Sequence, residues 1–429
     1  MLSRYFQIKK FPEFDSIILR HNLMNHFYEG TIFLFAISFI SVNTVLPVFI
    51  ESIGGNAIAI GSVTVLWTLG LNLPQLLFIR FFKHRVRVKP DVMKYGLLYR
   101  LNFIIISFVC SVFLGGLDSR ISVPLMLILI FIAAITGSSS GLFWYDFFSK
   151  TTPIKLRGRL LAIRLFLGSA LGILGGTAVS VILSSIVYPH NFALLFLICF
   201  FFTMVSFYFI TRLKEPLPEE TGNKDKPVHA EPLSLNEILS HSKKILKGNL
   251  NFKYFLIADA LILMSLTASA FYPVYGIKKF HLPASYAGTF TIILMASQVL
   301  GNFFFGYLAD FFGHKINVLI LAVCSAAASL TAVIADNVLL YGIVFFFTGC
   351  TLTLQGISRL AIVVEMCTES ERPFYIGLFN SLTAPTILFG IIGGILVTII
   401  GYIPVFLIYT FISLIAFYWL YKRVKEPRH

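Results

Sequence analysis

The chain has 429 residues, of which 57% are hydrophobic and 13% charged, against about 25% charged in a soluble globule. It cannot cover itself with polar surface, so its solvent is partly lipid and a soluble globular fold is excluded. The net charge of +14 suggests nucleic acid only until its distribution along the chain is read.

Residues 13–24 place Phe14, Ile17, Ile18 and Leu23 at near-helical spacing, which fits either an interfacial helix or an ordinary lead-in. Hydropathy then predicts twelve spans, at 27–50, 57–79, 95–117, 121–146, 160–185, 192–211, 254–276, 285–308, 316–335, 338–364, 374–400 and 402–421. Each is near the ~20 residues that cross a bilayer as helix. With the N-terminus inside, 29 Lys and Arg fall on the cytoplasmic face and three, Arg120, Lys278 and Lys279, on the other. The positive-inside rule therefore places both termini in the cytoplasm. The basic excess is topological, and no nucleic-acid partner is expected. The first apolar run is full length and lacks a small-residue cleavage site, so no cleavable signal is expected. Cys110, Cys199, Cys324 and Cys350 lie in spans and Cys367 near a loop, which disfavours a disulfide framework. No Cys or His cluster has metal-ligand spacing and no glycine run forms a phosphate loop, so no metal or cofactor is expected.

Residues 214–252 are the long polar stretch, with Pro216, Pro218, Pro227 and Pro232 among acids and lysines. They read as a linker. Ser234 and Glu237 form a capping box ahead of Ile238, Leu239, Ile245 and Leu246, predicting a short amphipathic helix over 234–247 on the inner membrane face. The expected organisation is a cytoplasmic segment 1–26, a six-helix bundle 27–213, the linker 214–252, a second bundle 253–421 and a cytoplasmic tail 422–429.

The halves repeat. Arg212-Leu213-Lys214-Glu215-Pro216 closes one and Arg423-Val424-Lys425-Glu426-Pro427 the other, 211 residues later. Arg80-Phe81-Phe82-Lys83-His84-Arg85 matches Asp310-Phe311-Phe312-Gly313-His314-Lys315 at an offset of 230. Leu46-Pro47-Val48-Phe49 matches Tyr272-Pro273-Val274-Tyr275. Acid-then-arginine loops recur with Asp146 and Arg157, then Glu365 and Arg372. A duplicated membrane domain is the basic device of a secondary transporter.

The stretch Gly306-Tyr307-Leu308-Ala309-Asp310-Phe311-Phe312-Gly313-His314-Lys315 resembles the major facilitator superfamily signature, Gly-x-x-x-Asp-x-x-Gly-x-Lys/Arg, between spans 8 and 9. Gly306, Asp310, Gly313 and Lys315 match it. The resemblance extends over the whole chain: twelve spans in two halves, a central linker and inside termini. It implies an all-α polytopic membrane protein with two pseudo-symmetric six-helix bundles around a cavity that opens alternately to each side. It also implies a gating role for Asp310, with Lys315 or Arg372 as partner. The first-half copy departs from the signature, with Arg80 where the Asp stands and Lys83 where the second Gly stands. Asp146 is the nearest acid to serve that gate, and anionic lipid is an alternative partner for the basic loop. Gly168, Gly172, Gly175 and Gly176 in span 5 resemble a motif of drug–proton antiporters. Ile173 replaces its proline, and close helix packing explains the glycines equally well.

Ionisable residues inside spans are costly and are functional candidates. Glu29, Arg100, Asp146, Arg164, Asp259, Arg359 and Glu365 are expected within about two turns of the cytoplasmic helix ends, as gate or as static pairs. Asp259 has apolar same-face neighbours, Phe255, Leu256, Ile262 and Leu263, and is the first candidate for proton coupling as an unpaired acid, with Glu29 second. Asn43, Asn72, Gln298, Asn302 and Gln355, with Tyr145 and Tyr272 toward the ends, are expected to line a polar, uncharged cavity, reached by Arg100, Arg164 or Arg359 if these turn inward. Such a cavity suits a neutral or amphipathic organic solute. The expected function is proton-coupled transport by a monomer in a bacterial cytoplasmic membrane. Uncoupled facilitation, lipid or lysolipid movement, and a transport-dead sensor on the same fold are the alternatives, and no catalytic constellation points to an enzyme.

Overall fold

The computed structural model describes residues 16–78, 87–216, 235–368 and 371–427. Among them there is no strand. The α-helices are α1 Ser16–Ser38, α2 Val45–Ser52, α3 Ala57–Phe78, α4 Lys89–Val112, α5 Ser119–Thr151, α6 Ile154–Ser185 and α7 His190–Arg212 in the first half. After α8, Leu235–Gly248, the second half holds α9 Leu250–Leu266, α10 Tyr272–Lys279, α11 Tyr286–Phe312, α12 His314–Ile334, α13 Val338–Ser358, α14 Ala361–Glu365, α15 Arg372–Thr383, α16 Phe389–Ile400 and α17 Tyr402–Arg423. Among the described residues ten stretches are long and apolar enough to cross a membrane, and Ala57–Asn72 is a shorter one. Phe303, Leu339 and Ile399 are among the many large apolar side chains left exposed, as lipid-facing positions must be.

In the first half α1 packs on α6 and α7, α4 on α5 and α7, and α3 on α5. The second half repeats this with α9 on α17, α12 on α13 and α17, and α11 on α13. The halves meet mainly where α6 packs on α11 and α3 on α16. The interfacial helix considered for 13–24 is not separate: its described part belongs to α1, continuous to Ser38. The linker helix runs over Leu235–Gly248 and docks Ile245 into the core of the second half, leaving Lys243, Lys244 and Lys247 exposed. Its capping Ser234 lies outside the described residues, as does the basic loop Arg80–Arg85.

Two repeats found in the sequence acquire a physical cause. Proline has no N–H to donate to the carbonyl four residues earlier and breaks a helix there. Pro47 and Pro273 do this in the first and seventh spans, which unwind between α1 and α2 and through the tight turn Thr267–Ala270. The freed positions are Asn43 and Ser269, each four residues before its proline. Ser269 Oγ donates to Asn43 Oδ1 across the two halves at 3.0 Å. Irregular backbone at membrane depth is tolerated because it is buried in protein and lines a cavity.

The Arg-x-Lys-Glu-Pro endings are clamps. Glu215 accepts from the backbone N–H groups of Val88 and Lys89 at 2.9 and 3.0 Å, capping α4. Glu426 accepts from Lys315 N at 3.0 Å, capping α12. Asn22 bonds the backbone of Lys214 at both N–H and C=O, at 2.9 and 2.8 Å. Asn251 does the same to Lys425, at 2.7 and 3.0 Å. A carboxylate at a helix N-terminus satisfies orphan donors and the dipole together. Gly313 belongs to this arrangement. Its φ is +81° and a Cβ there would fall on the Glu426 carboxylate. Glu426→Ala is expected to lower stability by about 0.5–2 kcal/mol, measured by thermal melting in detergent. A melt superimposable on wild type would show that the cap contributes nothing.

Candidate functional site

Between the halves lies a cavity of about 450 Å³. Ser41, Asn43, Thr64, Trp67 and Ser169 reach it from the first half, and Thr267, Ser269, Gln298, Thr351 and Gln355 from the second. Leu34, Ile37, Leu165, Leu263 and Leu294 supply much of its apolar wall. No ionisable side chain is among its described lining residues.

The cavity is closed on the side away from the termini. There α3 and α16 touch backbone to backbone, Gly61 against the Gly390 carbonyl and Gly394 against Ala57 and Ile58. Gly176 and Ser180 of α6 meet Gly288 of α11 in the same way. Thr44 and Thr291 share a hydrogen bond of 2.6 Å, and Lys278 pairs with Glu51 at 3.2 Å. Glycine at these crossings removes the side chains that hold helices apart. Gly175 and Gly176 thus pack helices, as the bland reading of span 5 expects, and Gly168 also faces the cavity.

On the terminus side of the cavity sit two buried ion pairs. Arg164 Nη2 donates to Glu29 Oε2 at 2.8 Å. Arg359 donates to both oxygens of Asp259, at 2.9, 3.1 and 2.8 Å, and to Thr383 Oγ1 at 3.0 Å. The acids come from the first and seventh spans, the opening helices of the two halves, but their bases come from different places in the repeat: Arg164 from the fifth span and Arg359 from the tenth. Each guanidinium lies over an aromatic ring, Arg164 over Trp144 at 4.5 Å and Arg359 over Phe379 at 4.6 Å. The planar cation stacks as well as pairs. Three of the four charged residues are about one turn in sequence from a cavity-lining residue: Arg164 from Gly168, Asp259 from Leu263, Arg359 from Gln355.

This corrects the picture of Asp259 as an unpaired acid. Its sequence neighbours are apolar, but its partner comes from a helix 100 residues away. The depth is corrected too. Arg100 lies 11 residues into α4 and Arg164 ten into α6, because these helices begin before their apolar runs. At 1.5 Å per residue that is about 15 Å from the helix end. Asp146, Arg359 and Glu365 are the shallower ones, each within about two turns of the end of its span. Arg100 donates to the carbonyls of Thr203 and Gly96, both at 2.7 Å, with Phe207 beneath it at 4.9 Å. It ties the third helix to the sixth.

The other expected residues divide. Asn43, Gln298 and Gln355 line the cavity. Asn72 is exposed and bonds the Thr68 carbonyl of its own helix. Tyr145 is 63% exposed, its ring against Trp144. Tyr272 is buried and bonds Ser329 at 2.7 Å. Asn302 lies in α11 one turn past Gln298, outside the lining. Asp146 pairs with Lys150 at 3.6 Å, whereas Arg157 is spent on the carbonyls of Ser149 and Thr152. Glu365 lies 3.6 Å from His314. Asp310 is exposed in the last turn of α11, and no Cβ contact is made at Gly306. Arg372 begins α15. Sequence reasoning missed His26, one turn before Glu29. It is fully buried, bonds Thr151 Oγ1 at 2.7 Å, and has no protein partner at Nδ1 among the described residues. Three-residue spacing from Glu29 on one helix was the available signal.

The sequence profile of the Major Facilitator Superfamily matches residues 29–297 and 260–429. The chain belongs to the major facilitator superfamily. Solved structures of this superfamily share the fold. The nucleoside transporter NupG superposes with a TM-score of 0.67 at 16% identity, over 94% of this chain and 99% of that one. The E. coli fucose:proton symporter FucP, as a variant, gives 0.57 at 16%, over 94% and 98%. A bacterial homologue of the human lysosomal transporter Spinster, inward-facing and unoccupied, gives 0.64 at 12%, over 95% and 97%. A sequence search of curated proteins found no match. This member of the major facilitator superfamily is thus an integral membrane protein with a transporter fold, and its two halves close on one side of the cavity.

Proposed function

We propose that the protein is a secondary transporter that moves a small neutral or amphipathic organic solute by alternating access, driven by protons. The carrying observation is the cavity itself: both halves build its wall, its lining is uncharged, and its far side is sealed by glycine contacts between rigid bundles. We read the membrane as a bacterial cytoplasmic membrane with both termini in the cytoplasm, an orientation the charge asymmetry supports; in that orientation the described state faces inward. The protein acts as a monomer in this reading, with lipid around it. A cysteine at Ala284 should react with an impermeant thiol reagent from outside intact cells, and one at Lys425 should not; the reverse pattern inverts the topology.

For coupling, Glu29 takes precedence over Asp259. Its pair with Arg164 is a single contact, and Arg164 Nη1 has no partner among the described residues, whereas Asp259 accepts three bonds. A proton arriving at Glu29 has fewer bonds to replace. Glu29→Gln is expected to abolish accumulation driven by an imposed pH gradient in proteoliposomes while solute exchange continues. Retained accumulation would remove Glu29 from coupling. Exchange without any pH-driven accumulation in the wild type would establish an uncoupled facilitator, which the uncharged cavity wall favours.

The gate is read from the opposite side. When the terminus side closes, Asp310 gains a partner across the halves, so Asp310→Asn should shift the population toward the described state by about 1–3 kcal/mol. Accessibility of a cysteine at Ser41 from the terminus side measures this. Unchanged accessibility would confine Asp310 to its own loop.

A further inference from the structure

The cavity wall carries hydrogen-bonding capacity that the protein does not use. Most of its serine and threonine hydroxyls donate into their own helices: Ser38 to Phe35, Thr64 to Gly61, Thr348 to Val344 and Thr351 to Thr348. They are satisfied as donors and keep only lone pairs to offer. The primary amides differ. Asn43 has one bond, accepted at Oδ1 from Ser269. Gln298 has one long bond of 3.4 Å, accepted at Oε1 from Ser169. Asn43 Nδ2, Gln298 Nε2 and both ends of the Gln355 amide have no side-chain partner among the described residues. Each amide offers two donors and a carbonyl. The wall also has one aromatic ring among its described residues, Trp67 of α3.

These features restrict the solute. An anion finds no cation in the wall, since Arg164 and Arg359 are engaged a turn away by Glu29 and Asp259. A lipophilic cation finds neither a carboxylate nor an aromatic cage. An apolar solute would strip water from the three amides and leave them unpaired, which is the costly arrangement. A solute with its own hydroxyl or amide groups satisfies them. A flat or ring-shaped body also covers the indole of Trp67 and the leucines around it.

We propose that the cavity binds an uncharged ring compound bearing several hydroxyl or amide groups, of the nucleoside or glycoside kind, read by Asn43, Gln298 and Gln355 and seated on Trp67. The proposal rests on the transport reading above and narrows it to a substrate class. It also assigns the two cross-half bonds a task. Asn43 and Ser169 belong to the first half, Ser269 and Gln298 to the second. A solute hydroxyl placed between them takes over contacts that the two halves make with each other, so both halves register its arrival.

The test uses the full-length protein in proteoliposomes, with uridine and methyl glucoside as two forms of the shared chemistry and tetraphenylphosphonium as the contrasting probe. Saturable binding or uptake of uridine or methyl glucoside is expected, and Gln298→Leu and Gln355→Leu should each weaken it about tenfold or more, the factor a lost buried hydrogen bond carries. Trp67→Leu should weaken uridine more than the glucoside, because only uridine has a planar base to stack. Variants are compared only where they melt with wild type; a destabilised one is replaced by its methionine counterpart, which keeps the side-chain length. No binding of either polyol at millimolar concentration overturns the proposal, as does binding indifferent to both glutamines. If tetraphenylphosphonium is accumulated instead, only the substrate class falls and the transport reading stands. If none of the three probes crosses the membrane, the transport reading falls with it.

Discussion

Replacing Arg359 with methionine is expected to cost about 3–5 kcal/mol, the penalty for leaving a buried partner charge uncompensated. Asp259 is 1% exposed and receives all three of its charge-assisted bonds from Arg359. No other cation appears among the described ion pairs of that carboxylate. The single substitution leaves a buried carboxylate without its cation, with the core residues Phe255 and Ile262 about one turn away on its own helix. Asp259→Asn combined with Arg359→Met removes both charges and should regain most of the loss, because the penalty lies in the orphan and not in the absence of the pair. Thermal or denaturant unfolding in detergent of wild type, the two singles and the double makes a complete cycle. If the double is as unstable as Arg359→Met alone, the two residues are not energetically coupled.

The second large effect concerns closure. A Cβ at Gly288 would collide with Ser180 N and with the Gly176 carbonyl. Both are backbone atoms of a long helix and have no rotamer to yield. Gly288→Val should therefore prevent the far side from closing and hold the protein in the alternative state, open away from the termini. A cysteine at Ser41, sealed from that side in wild type, should become reactive to an impermeant reagent applied there, and transport should stop. Gly394→Val should act alike, since its Cβ would meet the backbone of Ala57 and Ile58 at 2.6 Å. A Gly288→Val protein with wild-type transport would mean that α6 and α11 separate without functional consequence.

Much of this architecture was legible because the membrane imposes it. Spans, halves and their repeats follow from hydropathy and from strings such as Arg-x-Lys-Glu-Pro. The illegible part is the pairing between helices distant in sequence. Asp259 reads as an isolated acid because Arg359 is brought to it by the packing of the tenth span, which no local pattern encodes. Tyr272 sits beside a proline at a helix break, which suggests a cavity position, but helix rotation turns it to Ser329. Arg100 sits near the start of an apolar run, yet α4 begins at Lys89 and carries it to mid-helix. Rotation and true helix ends are set by tertiary contacts, and a single sequence contains them only implicitly.

The clamps at the ends of the two halves set an order of events during synthesis. The cap that fastens helix three to the end of helix six forms only when the closing glutamate exists: Glu215 for the first half, Glu426 for the second. The N-terminal bundle is therefore completed while about half the chain is still to be made. The cap of the second bundle waits for Glu426, since it spans 111 positions. Until then its third helix sits in the bilayer with an unsatisfied N-terminus. The first bundle, whose cap is complete by Glu215, offers α3 and α6 as the faces on which α16 and α11 of the second bundle pack.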